Sequence, residues 1–287
     1  MKLKPLDLAR SLKLLAAVPL VLLLLFYRWH HKAAIPTATI CPNHEYTVEI
    51  VSQSPLVIYI NNFLSEKEVT WLLEAGFVTH IALLPNDADT SNEYRQSRYK
   101  RMLTYQGNSL TDKAIPDERK TSSSAYLSKS DPVVACIGQR ALDFHGGTQR
   151  ALGDYGNPQL VKYEPGQKND LHYDWWMVPQ NRSGRLYNRR TTILAYLDDN
   201  CTRGETYFPL INGMNDSCTE CQRAGQKSRF WTGEDGLGLL FPPRRGNAVF
   251  WVNLGADGTG DERTLHAALP VAEGSKVAMN FWPPQYF

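Results

Sequence analysis

Apolar and polar positions alternate along the chain in three regimes. Near the N-terminus, Leu14 to Tyr27 runs fourteen residues without a charge and contains seven leucines. Basic residues flank it on both sides, with Lys2, Lys4, Arg10 and Lys13 before it and Arg28 and Lys32 after. The second regime has helical spacing. Ser65-Glu-Lys-Glu68 forms a capping box, Val69, Leu72 and Leu73 make a stripe behind it, and Gly76 is a stop. Asp131-Pro132 opens a second helix carrying Val134, Ile137, Leu142 and Phe144 before Gly146-Gly147. Between them, residues 85–130 are polar and Ser/Thr-rich, which predicts long loops with short strands. From about Gln159 the texture changes to short apolar runs broken by Gly, Pro and Asn. Strands are expected at 160–163, 191–197, 248–253, 265–269 and 276–282. Residues 210–241 are Gly-rich and polar and read as an inserted loop.

Helices first and strands after give an α+β class, with a sandwich or jelly roll supported by N-terminal helices. The chain has 287 residues, 43% of them hydrophobic, enough for one sizeable core. A net charge of +2 leaves no electrostatic footprint for nucleic acid. A bilayer span needs about 20 apolar residues. Adding Leu12 and Trp29, with Lys13 and Arg28 snorkelling, brings the first run near that length. Bulky Tyr27-Arg-Trp-His-His31 argues against cleavage directly after it. The expected organisation is a cytoplasmic tail (1–13), a single transmembrane signal-anchor helix (14–29), a polar lumenal stem (30–54) and a catalytic domain (55–287, core 159–282). A cleaved signal peptide, giving a secreted or Golgi form, and a buried core helix are the alternatives. The expected home is the endoplasmic reticulum membrane, in a type II orientation.

Two features agree with a lumenal domain. Sequons stand at Asn181, Asn200 and Asn215. The five cysteines suit an oxidising compartment: Cys201 with Cys218 or Cys221 is one expected bridge, and Cys41 with Cys136 a possible second. Cys218-x-x-Cys221 lacks the further ligands a zinc site needs.

His172-Tyr-Asp174 offers two ligands two residues apart, which share a face if the segment is a strand. With seven histidines in the chain, one such pair is within what chance supplies. His266 adds a third ligand from a later strand. Two histidines and one carboxylate leave coordination positions open, the pattern of non-haem iron(II) oxygenases. In the run Lys276 to Trp282, Val277, Met279 and Phe281 share one face, while Lys276, Ala278, Asn280 and Trp282 share the other. A lysine there can point into a barrel and meet a buried carboxylate.

Four ordered blocks then make a specific resemblance. They are Tyr163-Glu-Pro-Gly-Gln167 running to His172-Tyr-Asp174; Arg189 to Leu197 with Gly204-Glu-Thr-Tyr-Phe-Pro209; Gly246-Asn-Ala-Val-Phe-Trp251; and Leu265-His266 through Gly274-Ser-Lys276 to Trp282. In this order and spacing the segment resembles the catalytic domain of prolyl 4-hydroxylases, which are Fe(II)/2-oxoglutarate-dependent dioxygenases. Upstream, Arg119-Lys-Thr-Ser-Ser resembles the family's substrate-side loop. The resemblance implies a double-stranded β-helix, with His172, Asp174 and His266 holding Fe(2+). It implies Lys276 on the distal carboxylate of 2-oxoglutarate, with Tyr163 and Thr206 as hydrogen-bonding partners, and Arg189 against the peptide. O2 as cosubstrate, L-ascorbate as reductant and a proline-containing peptide or protein substrate follow from it, while it names no partner subunit. Arg203-Gly204-Glu-Thr206 departs from the family's Gly-Gly-Glu-Thr, and Ala267-Ala-Leu-Pro270 from its Gly-Cys-Pro. Both departures lie on the expected substrate side and leave the target open. Oxidation of a non-prolyl residue or a small molecule, and a non-catalytic scaffold on the same barrel, are the competing readings.

Overall fold

Seven strands carry the candidate site: β1 (Gln159–Tyr163), β2 (Asn169–His172), β3 (Thr191–Asp198), β4 (Thr206–Phe208), β5 (Ala248–Val252), β6 (His266–Ala268) and β7 (Lys276–Phe281). In the computed structural model, successive members of this series alternate between two antiparallel sheets. The larger sheet runs Thr47–Gln53, Leu56–Asn61, β5, β3, β7, β1, Ser123–Tyr126, Lys100–Arg101. The smaller runs Trp231–Thr232, Leu239–Phe241, β4, β6, β2. This back-and-forth winding is the jelly-roll, or double-stranded β-helix, expected from the sequence. The structure describes residues 41–77, 100–101, 103–105, 114–116, 118–145, 155–213, 229–233 and 236–287. The expected tail and anchor (1–29), Asn215, Cys218 and Cys221 lie outside these residues. No helix among the described residues is long and apolar enough to cross a membrane.

The larger sheet is buried on both faces, which explains why its strands read as apolar runs rather than clean alternation. On one face Ile193, Ala195, Leu197, Phe250 and Met279 pack against two helices, α1 (Glu66–Phe77) and α2 (Pro132–Phe144). On the other, Tyr196, Val249, Trp251 and Ala278 meet Phe208, Leu239 and Phe241 of the smaller sheet. Both helix starts follow the sequence. Ser65 N donates to Glu68 Oε2 at 2.8 Å, and Glu68 N donates back to Ser65 Oγ at 3.3 Å. Asp131 accepts from the amides of Val133 and Val134 at 2.9 and 3.1 Å. Arg140 ties the helices together, reaching Glu68 Oε1 at 2.7 Å.

Three expectations need correction. Residues 47–53, assigned to the stem, form the outermost strand of the larger sheet; a register shift between Ile50 and Ser52 hides its alternation. Residues 210–241 are not wholly a loop, since Leu239–Phe241 and Trp231–Thr232 extend the smaller sheet and bury Phe230, Leu239 and Phe241. Cys201 is a free thiol rather than half of a local bridge. It sits in the two-stranded antiparallel sheet of Cys201–Arg203 and Val271–Gly274, paired to Gly274, with its thiol hydrogen directed at the Arg203 carbonyl at 3.5 Å. Cys41 and Cys136 are both disulfide-bonded.

Candidate active site

Register places the candidate ligands. On the smaller sheet His266 pairs directly with His172, so the two imidazoles stand side by side, ring centroids 4.3 Å apart. The strand ends at His172, and Asp174 follows in a bend rather than in the strand, yet turns to the same point. One ligand atom from each of His172, Asp174 and His266 lies within 4.8 Å of the others.

The surroundings fit a metal. His172 Nδ1 lies 2.7 Å from the Asp170 carbonyl and His266 Nδ1 lies 2.9 Å from that of Thr264. Each Nδ1–H is therefore a donor, which leaves each Nε2 lone pair facing the site. The Asn169 side-chain amide stands 3.1 Å from His172 Nε2, on that same lone pair. Burial and the neighbouring His266 push the His172 pKa down to about 4, so it is neutral and able to ligate at pH 7. Asp174 Oδ2 accepts from Thr192 Oγ1 at 2.7 Å and from Trp282 Nε1 at 3.0 Å. Burial raises the Asp174 carboxyl, but the fields of His266, His172 and Arg189 and the Trp282 bond outweigh it and hold its pKa at about 2. Oδ1 has no hydrogen-bond donor among the described residues and is left for an ion. Phe208 and Trp251 wall the His266 ring, with centroids at 5.3 and 4.9 Å.

The same cavity, ≈ 220 Å³, continues to Lys276, Tyr163 and Thr206. Lys276 is 1% exposed and pairs in register with Tyr163. Its Nζ donates to the Gly204 carbonyl at 2.7 Å and lies 5.1 Å from the Tyr163 ring centroid. No carboxylate among the described residues is in ion-pair reach of it, and burial lowers its pKa from 10.5 to about 8. A buried cation with a single neutral acceptor is matched to an anionic ligand. Gly204 is needed here: its φ of 83° turns the carbonyl toward the lysine. Arg203 before it, where the family shows glycine, keeps a left-handed φ of 63°. Tyr196 O–H donates to Thr206 Oγ1 at 2.9 Å, which leaves the Thr206 hydrogen free for a ligand oxygen. Burial also raises the Tyr163 pKa, keeping that hydroxyl protonated as a donor.

Arg189 lines the mouth. Its guanidinium sits over the rings of Trp282 and Trp176 at 3.8 and 4.4 Å and donates to the Asp174 carbonyl at 3.2 Å. All seven residues singled out in the sequence therefore face one cavity. Sequence reasoning missed Thr192, Asn253, Asn169 and Trp282. Asn253 donates to Thr192 Oγ1 at 2.9 Å and so orients the Asp174 bond. A polar residue inside an otherwise apolar strand, as at Thr192, was the available signal.

Comparison with known proteins agrees with this geometry. Residues 158–283 match the 2OG-Fe(II) oxygenase superfamily. Prolyl 4-hydroxylase 1 of Arabidopsis thaliana is 27% identical over 242 residues, 83% of this chain and 71% of the relative. Prolyl 4-hydroxylase 5 of the same plant is 29% identical over 241 residues, 84% of this chain and 72% of the relative. These matches support a place in the prolyl 4-hydroxylase family. The chain is a 2-oxoglutarate-dependent dioxygenase, and Fe(II) and 2-oxoglutarate are the metal and cosubstrate of its superfamily. A viral collagen prolyl hydroxylase from Paramecium Bursaria Chlorella virus-1 aligns at 19% identity with a TM-score of 0.48, covering 79% of this chain and 94% of that one.

Proposed function

We propose that this oxygenase hydroxylates peptidyl proline at C4 in proteins of the secretory pathway. The observation that carries the oxygenase chemistry is one cavity joining the His172, Asp174 and His266 cluster to the unpaired cation of Lys276. Proline as target is supported by the curated relatives, named prolyl 4-hydroxylases.

In this reading His172, Asp174 and His266 hold iron(II), which supplies oxygen activation coupled to the decarboxylation of 2-oxoglutarate to succinate and carbon dioxide. Lys276 binds the distal carboxylate, and the hydroxyls of Tyr163 and Thr206 donate to it. Thr192 and Trp282 keep Asp174 Oδ2 engaged, so Oδ1 alone is presented to the metal. Phe208 and Trp251 exclude water from the His266 side. Arg189 holds the substrate chain at the mouth. Ascorbate serves as reductant for turnovers uncoupled from substrate.

The N-terminal run 14–29 anchors the chain in the endoplasmic reticulum membrane with the catalytic domain lumenal. The disulfide-bonded Cys41 and Cys136 and the exposed sequon at Asn181 support that placement. A peptide panel scored for the mass gain of one oxygen tests the substrate. Succinate release by wild type and His172→Ala tests the chemistry; equal release from both would sink it. Glycosidase sensitivity in microsomes tests the topology, which fails if no sequon is modified and the C-terminus is open to protease. A non-prolyl target is the second reading, favoured by Ala267 and Ala268, which line the cavity where the family has Gly-Cys.

A further inference from the structure

A second hollow of ≈ 200 Å³ adjoins the catalytic cavity and shares the walls Tyr126, Arg189 and Trp282 with it. Arg182, Tyr187, Arg189 and Pro284 of a small antiparallel sheet (Gln180–Arg182, Arg185–Arg189 and Pro284–Tyr286) line it, and Arg185 and Tyr286 extend that sheet beyond its rim. Arg185, Tyr187 and Arg189 alternate along the central strand and share one face. Guanidinium groups and rings interleave across it. Arg185 lies over Tyr286 at 4.1 Å and Arg182 over Tyr187 at 4.5 Å, while Arg189 sits between Trp176 and Trp282. The rings continue the series, with centroids 5.5 Å apart for Trp176 and Tyr187 and 5.8 Å for Tyr187 and Tyr286. From the opposite face, Asn188 fixes Trp176 by accepting from its amide at 2.9 Å and donating to its carbonyl at 2.8 Å. Neither Arg185 nor Arg189 is in an ion pair with a carboxylate among the described residues.

We propose that this aromatic–arginine groove receives the stretch of substrate chain beside the target residue and selects an acidic side chain there. The inference rests on the peptide-hydroxylase reading above. Flat rings separated at this spacing suit an extended, polyproline-like segment, whose ring faces and exposed carbonyls stack on aromatics. The exposed guanidinium of Arg185, in no ion pair among the described residues, supplies the charge complement for Asp or Glu. Tyr187 stands two residues from Arg189, about 7 Å along a strand, which an extended chain at about 3.1 Å per residue covers in two or three residues. The selected carboxylate therefore falls about two to four residues from the hydroxylated position.

The test uses proline peptides carrying Glu, Gln or Lys two, three or four residues to either side of the target. At one of these positions Glu lowers KM about fivefold against Gln, the scale of a partly exposed charge pair, with kcat unchanged. In Arg182→Gln/Arg185→Gln the advantage of Glu falls below twofold, and Arg185→Lys retains it. Titration of the same peptides into the full chain under nitrogen shows the same loss in affinity, independently of turnover. Equal KM for Glu, Gln and Lys peptides in wild type overturns the proposal, as does a Glu advantage that survives the double substitution. A wild-type enzyme that converts 2-oxoglutarate but oxidises none of the peptides overturns the peptide-hydroxylase reading, and the subsite with it.

Discussion

Replacing Lys276 by methionine separates cosubstrate recognition from folding. Its Nζ is buried, bound to a single carbonyl at 2.7 Å, and burial lowers its pKa from 10.5 to about 8. At about 1.4 kcal/mol per pH unit, keeping that charge inside costs the folded chain on the order of 3 kcal/mol at pH 7. Methionine fills similar space uncharged and removes the cost, against about 1–3 kcal/mol for leaving the Gly204 carbonyl unpaired. The net change is about 0 to +2 kcal/mol, and a chain of this size gains about 2–4 °C per kcal/mol. The ligand-free variant therefore melts at the wild-type temperature or a few degrees above it. The pH dependence has a definite sign. The folded-state pKa is depressed, so the unfolded chain holds the extra proton between about 8 and 10.5, and wild-type stability rises with pH across that window. In Lys276→Met the rise is missing. Scanning calorimetry with Fe(II) under nitrogen supplies the second half of the test. Wild type gains about 2.7 kcal/mol when 2-oxoglutarate is 100-fold above its Kd, and the variant gains none. A variant that melts several degrees below wild type and is still stabilised by 2-oxoglutarate would refute the reasoning.

Thr192→Val removes the 2.7 Å bond to Asp174 Oδ2 and leaves the Asn253 amide without its acceptor; metal affinity falls about 10–100-fold in a tryptophan-fluorescence titration, and unchanged affinity would deny Thr192 its orienting role. Arg140→Ala strands the partly buried Glu68 carboxylate and costs about 3 kcal/mol in urea denaturation at pH 7. Burial pushes the Glu68 carboxyl up, but the Arg140 and Ser65 bonds outweigh it and hold its pKa below 4.5. Its stabilisation is thus present above pH 4.5 and lost as pH falls through the lowered value, an acid-side slope that Arg140→Ala reduces. Gly260→Ala drives a Cβ into the Trp175 ring, whose N–H donates to Thr264 at 3.3 Å. Overpacking of about 1–3 kcal/mol and an altered tryptophan emission are expected; wild-type stability would show that the ring moves freely.

The sequence was most legible where side-chain period and burial coincide. The β7 pattern assigned Val277, Met279 and Phe281 to one face and Lys276, Ala278 and Asn280 to the other, and the sheet divides them that way between core and cavity. Both helix starts were readable because Ser65 and Asp131 act through neighbouring amides. Long-range partners were hidden. Nothing local to Thr192 points to Asp174, and nothing near Cys201 shows that it pairs with Gly274 instead of with another cysteine. The strand 47–53 escaped because its outward Val48 and Ile50 are about half exposed and a bulge breaks its alternation. The arginine–ring series around Tyr187 was equally invisible, since its members come from three strands and two positions outside strands and gain meaning only side by side.

The interleaving of β1 to β7 has a consequence for biosynthesis. His172 emerges from the ribosome long before His266, and Lys276 follows later still, yet His266 pairs with His172 and Lys276 with the early Tyr163 across adjacent strands. A nascent chain that has delivered only β1 to β5 owns two ligands and no lysine floor. It can neither grip the metal with all three side chains nor seat the oxoacid. Oxygen chemistry is withheld by topology until the late strands thread between the early ones, and only a finished fold is armed.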